Sequence, residues 1–162
     1  MSQENIIMVG KIYAAFAMGD VQTVFASFAP EIEWQAAENS PAAKGSPYHG
    51  LDEVREGVFM LIGNEFPGLE MRLDELLDAG DKVVALGAYI GSRKSTGKPF
   101  LAQFAHIWTI AAGKVAKFQH YTDTYQFAET AKIADGRTCW RRHRRAEPIN
   151  YWICTNRQAA YF

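Results

Sequence analysis

The chain has 162 residues, enough for one domain with a proper core, and its 48% hydrophobic and 22% charged residues match an ordinary globular protein. A net charge of −1 argues against a dedicated nucleic-acid binder. No apolar run approaches membrane-spanning length and no basic-then-apolar leader follows Met1, so the expectation is a cytoplasmic protein that contacts neither nucleic acid nor membrane.

The first predicted helix carries Ile6, Val9, Tyr13 and Phe16 on one apolar face and ends at Gly19. Asp20 is placed to cap a second helix, with Val21, Val24, Phe25 and Phe28 inward and Pro30 as its stop. "EIEWQ" then alternates as a strand, with Ile32 and Trp34 on one face. Residues 36–50, rich in Ala, Ser, Pro and Gly, read as a loop. "LDEVREGVFMLIGNEF" restores the helical period until Pro67-Gly68 breaks it. Strand-like segments follow at 69–78, 82–92, 99–110 and 114–123, in a meander. Helices followed by a run of strands predict an α+β fold, with the helices on one face of an antiparallel sheet.

The last two of these strands carry His106 and His120. A three-residue loop, Ala111-Ala112-Gly113, with Gly113 left-handed, predicts the pairs His106 with Phe118 and Phe104 with His120. Phe104, His106, Trp108, Phe118, His120 and Thr122 then share the face toward the helices. A two-residue loop shifts the parity and separates the histidines. Histidines on an inward aromatic face are read either as hydrogen-bonded core residues or as a site. Ten Phe, seven Tyr and four Trp fit an aromatic-lined cavity as well as an aromatic-rich core.

The order of elements, "SPYHGLDEVREGV" entering the third helix, and "TGKPFLAQFAHIWTIAAGKVAKFQHYTDT" over the last two strands resemble the SnoaL-like polyketide cyclases. Ketosteroid-isomerase-like proteins of the wider NTF2-like superfamily share this plan, and the chain is similar to members carried on environmental mobile gene cassettes. The likeness runs from about residue 5 to 133 and implies an NTF2-like cone, an α+β barrel of three N-terminal helices on a curved sheet around an apolar cavity, commonly in a homodimer. In the cyclases a histidine on the penultimate strand and an aspartate fourteen residues later flank the substrate. His106 matches the first, but the second position holds His120. The aspartate of the related epoxide hydrolases falls on the same position, and their Arg-x-Asp pair falls on Gly87 and Tyr89, which argues against epoxide hydrolysis. The ketosteroid isomerase set, an aspartate base with tyrosine and protonated aspartate donors, finds no inward carboxylate pair. Arg72 and Asp74 read as a solvated face, Asp123 as a helix cap, and Glu38 as a carboxylate near the cavity mouth.

If the protein is an enzyme, the chemistry implied is proton transfer at a carbon next to a carbonyl, as in an isomerase or cyclase. Histidine titrates near neutrality, so His120 is assigned as base and His106 as its partner or electrophilic donor. Tyr89, Tyr13 and Tyr48 are candidate phenolic donors, and Trp34, Phe59, Phe104 and Trp108 are candidate walls for a small apolar molecule. A non-catalytic binding protein of the same fold is the alternative. Val84, Leu86, Ala88, Ile90 and Ile107 on the convex sheet face offer a surface for a homodimer, the third reading being an interaction module. The two cysteines, Cys139 and Cys154, make no metal spacing, and neither metal nor cofactor is expected.

Residues 134–162 form a separate extension after the domain at 1–133. Six arginines against Asp135 and Glu147 make it net +4, leaving −5 for the body. The run from Arg141 to Arg145 could lie against that body, with Trp140, Tyr151 and Trp152 as anchors. Alternatively "INYWI" adds a strand or reaches a dimer mate, or the segment is read-through with no evolved role.

Overall fold

The computed structural model describes residues 2–132 and the strand residues 138–142 and 152–156. The chain divides into two compact units, Met1–Ala131 and Lys132–Phe162.

In the first unit, helix α1 (Ser2–Ala17) buries Val9, Ile12 and Tyr13 on the expected face. It ends as the sequence predicts. Gly19 takes φ +70°, its N–H bonds to the Phe16 carbonyl at 3.0 Å, and the Asp20 N–H bonds to the Ala15 carbonyl at 2.9 Å. These are the two bonds of a Schellman end, which glycine permits without steric cost. Asp20 then caps α2 (Val21–Ala26), accepting from the Thr23 N–H at 3.0 Å and the Thr23 hydroxyl at 2.6 Å.

Helix α2 is shorter than expected. Phe28 belongs to strand β1 (Phe28–Gln35), and Pro30 lies inside that strand instead of stopping a helix. The reason is a register shift between Phe28 and Glu33, which leaves Pro30 where no ladder N–H is needed. The Val115 N–H meanwhile takes the Ser27 carbonyl at 3.0 Å, drawing the chain into the sheet. Ile32 and Trp34 point inward, as predicted.

The 36–50 segment contains a 3-10 turn at Ala43–Gly45, a cis Ser46-Pro47 bond and the short strand β2 (Tyr48–His49). The third predicted helix is a continuous helical run: α3 (Gly50–Val54), a π-helical segment Arg55–Met60, and α4 (Leu61–Glu65). The π segment passes over the Tyr48 ring, and a Cβ at Gly57 would stand 2.1 Å from it, so only glycine fits.

Four long strands follow close to their predicted bounds: β3 (Glu70–Ala79), β4 (Lys82–Ser92), β5 (Pro99–Ala111) and β6 (Lys114–Thr122). Helix α5 (Thr124–Ala131) begins directly after Asp123, where the sequence placed a helix cap, and packs Phe127 over Phe66, Phe100 and Tyr89. Sheet order is β2-β1-β6-β5-β4-β3. The sheet is mixed where a wholly antiparallel one was expected, because β1 runs parallel to β6. It is also open, its edge strands β2 and β3 being unpaired with each other, so the cone is not a closed barrel. Bulges in β3 and β6 bend it. The core lies between its inner face and the helices.

The hairpin register differs from the expected one. Ala111 pairs with Lys114 across a two-residue turn, Ala112-Gly113, both residues at positive φ (+49° and +71°). Alone, that turn would put the histidines on opposite faces. Ala116, however, is an extra residue between the pairs Ile110 with Val115 and Thr109 with Lys117, and it restores the parity. His106 consequently pairs with His120 itself, and Phe104 with Thr122.

In the second unit, β7 (Thr138–Arg142) and β8 (Trp152–Asn156) pair antiparallel. The residues His143, Arg144, Arg145 and Tyr151 of the predicted basic run and anchors lie outside the described residues.

Candidate functional site

A cavity of about 760 Å³ opens between the helices and the inner face of the sheet. Its exposed rim comes from Ala17, Val21, Gly63, Pro67 and Gly68, at the ends of α1 and α4 and the start of α2. Its deep end is formed by buried Tyr13, Trp34, Tyr89, His106, Trp108 and Phe118.

At that deep end the polar groups form a chain. The Trp108 Nε1–H donates to the Tyr13 hydroxyl at 3.2 Å, which lies 2.6 Å from His106 Nδ1. His106 Nε2 lies 2.9 Å from the Tyr89 hydroxyl, which in turn lies 3.3 Å from His120 Nε2. Helix α1 brings Tyr13, β4 brings Tyr89, β5 brings His106 and Trp108, and β6 brings His120. Phe104 stacks on the His106 ring, centroids 4.0 Å apart and planes 13° from parallel, which fixes the imidazole plane.

Burial makes these groups hold their neutral forms. It lowers the His106 pKa well below the usual histidine value, with the nearby His120 adding in the same direction. It lowers His120 to about 4. It raises both Tyr89 and Tyr13, the latter against the opposing hydrogen bond from Trp108. At neutral pH the whole chain is uncharged.

Of the residues singled out in the sequence, Tyr13, Trp34, Phe59, Tyr89, His106 and Trp108 meet at the cavity. Tyr48, Phe104 and His120 do not line it. Tyr48 donates its hydroxyl proton to the Ala42 carbonyl at 2.7 Å, away from the cavity. His120 stands behind Tyr89, its ring centroid 5.1 Å from that of His106. Glu38 is exposed and does not line the cavity. Asp123 stands exposed at the start of α5, its carboxylate accepting from Gln126 Nε2 at 3.3 Å. Phe16, Phe66, Met71 and Phe118 line the cavity and were not singled out. Phe16 and Phe118 were visible on the inward faces of the first helix and the last strand; Phe66 and Met71 depend on how the helices close over the sheet.

Arg72 and Asp74 form an exposed pair at 2.8 Å on the outer face. At Gly87 a Cβ would stand 2.2 Å from the Arg72 carbonyl oxygen. No side chain fits there without moving β3. Among the described residues no helix is long and apolar enough to cross a membrane.

Comparison with known proteins agrees with this architecture. An NTF2-like protein from Burkholderia thailandensis is 37% identical, with a TM-score of 0.75 over 79% of this chain and 97% of the other. Bal32a, from a soil-derived mobile gene cassette, is 23% identical, with a TM-score of 0.68 over 81% and 98%. A candidate SnoaL-like polyketide cyclase from Jannaschia sp. CCS1 shares the fold at 16% identity and a TM-score of 0.68, over 80% and 92%. No curated protein matches the sequence. The SnoaL-like domain model matches residues 9–118, more than half of the chain, and with its NTF2-like fold the protein belongs to the SnoaL-like domain family.

Proposed function

We propose that the cavity binds an uncharged, flat apolar molecule of the polyketide or steroid kind, its polar group set against Tyr13, His106 and Tyr89. The observation that carries this reading is that, among the described residues, no charged side chain enters the aromatic cavity of about 760 Å³, a size within the usual range for small-molecule sites. Glu70 touches the rim, but it pairs with Ile90 while its neighbour Met71 pairs with inward Tyr89. Its carboxylate therefore belongs to the convex face, beside Arg72. An anion or cation entering the deep end would lose its hydration and meet no opposite charge to offset it.

Trp34 and Trp108 line the cavity, so binding is measurable by quenching of their fluorescence. Fluorenone, a flat uncharged ketone, is expected to quench and saturate. Its carboxylate derivative is expected to bind at least about tenfold more weakly, the equivalent of ~1.4 kcal/mol. Equal binding of the two, or no binding of either, sinks the reading.

A second reading is proton transfer next to a carbonyl, as in an isomerase or cyclase. What favours it is the hydroxyl–imidazole chain held in an apolar setting, where hydrogen bonds to a developing oxyanion are strong. The histidine at the cavity is His106, so on this reading His106 and its two tyrosines take the role expected of His120. α-Proton exchange of a bound ketone in deuterated water tests it. Binding without exchange leaves the protein as a non-catalytic binder.

A further inference from the structure

The contacts of the polar chain can be matched against the hydrogens available to it. Neutral Tyr13, His106, Tyr89 and His120 carry one polar hydrogen each, four in all. They make three mutual contacts, Tyr13 to His106, His106 to Tyr89, and Tyr89 to His120. Each contact needs one hydrogen, because two facing lone pairs at such distances repel. Trp108 supplies its own hydrogen to Tyr13 and does not alter the sum. One hydrogen is therefore left over.

Only three placements of the spare hydrogen keep every contact made. It can sit on the Tyr13 hydroxyl, with His106 protonated at Nδ1. It can sit on the Tyr89 hydroxyl, with His106 protonated at Nε2. In both cases a hydroxyl donor points into the cavity that these tyrosines line, and His120 is protonated at Nε2. In the third placement the spare hydrogen is on His120 Nδ1, and the cavity meets only oxygen lone pairs. His120 Nδ1 bonds to no described protein group, yet Ser40 Oγ is the one buried side-chain polar atom among the described residues without a partner. His120 Nδ1 must therefore keep accessible surface. His120 is half-buried where His106 is 2% exposed.

Resting on the proposed binding of an uncharged ligand, we infer that Tyr13, His106, Tyr89 and His120 form a proton wire from the ligand's polar group to the outside of the cavity. Tyr13 or Tyr89 is the group that meets the ligand, His106 is the relay between them, and His120 is the outlet. The wire adapts to what it binds. A hydrogen-bond acceptor draws the spare hydrogen to a tyrosine, and a donor drives it to His120 Nδ1.

The same wire transfers a proton with every residue neutral before and after. A proton leaving the ligand bonds to the Tyr13 oxygen as Tyr13's own hydrogen passes to His106 Nδ1. The hydrogen on His106 Nε2 passes to Tyr89, that of Tyr89 passes to His120 Nε2, and that on His120 Nδ1 passes to water. Five bonds to hydrogen form and five break; the ligand keeps the electron pair and water becomes hydronium. His120 never touches the ligand.

Fluorenone, which only accepts, and carbazole, which donates from the same tricyclic shape, test this in the full chain. Long-range proton–nitrogen NMR on histidine-labelled protein reads the tautomer of His120, assigned with His120→Gln. With fluorenone bound, His120 is expected to carry its hydrogen on Nε2; with carbazole, on Nδ1. In Tyr89→Phe, which removes one hydroxyl and keeps the ring, both ligands should leave His120 in the same state. An identical His120 tautomer with both ligands bound to the native protein overturns the wire alone. So does a His120 that carries both hydrogens at neutral pH, or one that still switches in Tyr89→Phe. Failure of both ligands to bind overturns the underlying binding reading and this inference with it.

Discussion

His106 and His120 face each other directly across β5 and β6, and they do so because two local departures from a regular hairpin cancel. The two-residue turn moves the parity by one, and the extra residue Ala116 moves it back. The turn itself is imperfect: both central residues have positive φ, but only Gly113 suits that conformation, while Ala112 holds φ +49°.

Replacing exposed Ala112 with asparagine, which tolerates the left-handed region, should stabilise the protein by about 0.5–1 kcal/mol. Urea denaturation reads this as a higher midpoint at unchanged slope. A lower midpoint would show that the turn does not demand this conformation.

The hairpin also shows where legibility ended. The periods of α1 and of the four long strands, and the Gly19-Asp20 junction, were readable because each is decided by residues a few positions apart. The shared face of the histidines was expected from the wrong turn, since a bulge at Ala116 carries no sequence mark beyond its parity. Parallel pairing of β1 with β6 and the position of Pro30 inside β1 depend on partners more than 80 residues away. So does the closing of α1 over His106, which joins Tyr13 to the chain from a distance of 93 residues. The histidines could be seen; the tyrosine that completes their contacts on each side could be named only as a candidate.

Arg93 fastens the rim of the cavity. Its guanidinium meets Glu65 at 2.5 Å and Thr130 at 3.0 Å and lies 4.8 Å over the Phe66 ring, tying the β4–β5 loop to α4 and α5. Arg93→Met should cost about 1–2 kcal/mol, after discounting for the partial exposure of Glu65. Arg93→Lys should recover little of it, because a single ammonium cannot span both partners while stacking. Because Phe66 lines the cavity, both variants should also weaken binding of fluorenone. A lysine variant as stable as the native protein would mean that charge alone matters.

The convex face of the sheet presents Val84, Leu86, Ile90 and Ile107, all half-exposed, while Ala88 is already covered by its neighbours. We hypothesise that a second copy of the chain covers this face, as the expectation of a homodimer requires. Leu86→Glu would place a charge in that contact, and sedimentation should then show a monomer with an unchanged circular dichroism spectrum. A native protein that sediments as a monomer at every concentration removes the hypothesis.

Acid should unfold the protein through the two histidines well before the carboxylates matter. Unfolded, each histidine titrates near 6.5; folded, burial holds His106 far lower and His120 at about 4. Between these values the unfolded chain binds more protons than the folded one, so stability rises with pH. The contribution is complete above about pH 6.5 and is lost as pH falls toward the folded value. Each histidine gives a slope of up to about 1.4 kcal/mol per pH unit within that window. Asp20 and Asp74, held below the ordinary carboxylate value by Thr23 and Arg72, act in the same direction but only at lower pH. Urea unfolding measured from about pH 7 to pH 5 should therefore show a steady fall in stability. His120→Gln should flatten that fall by about half, since His106 continues to resist protonation. A native curve that is flat over this range would mean that neither histidine resists protonation in the folded state, and the uncharged chain at the base of the cavity would not exist as described.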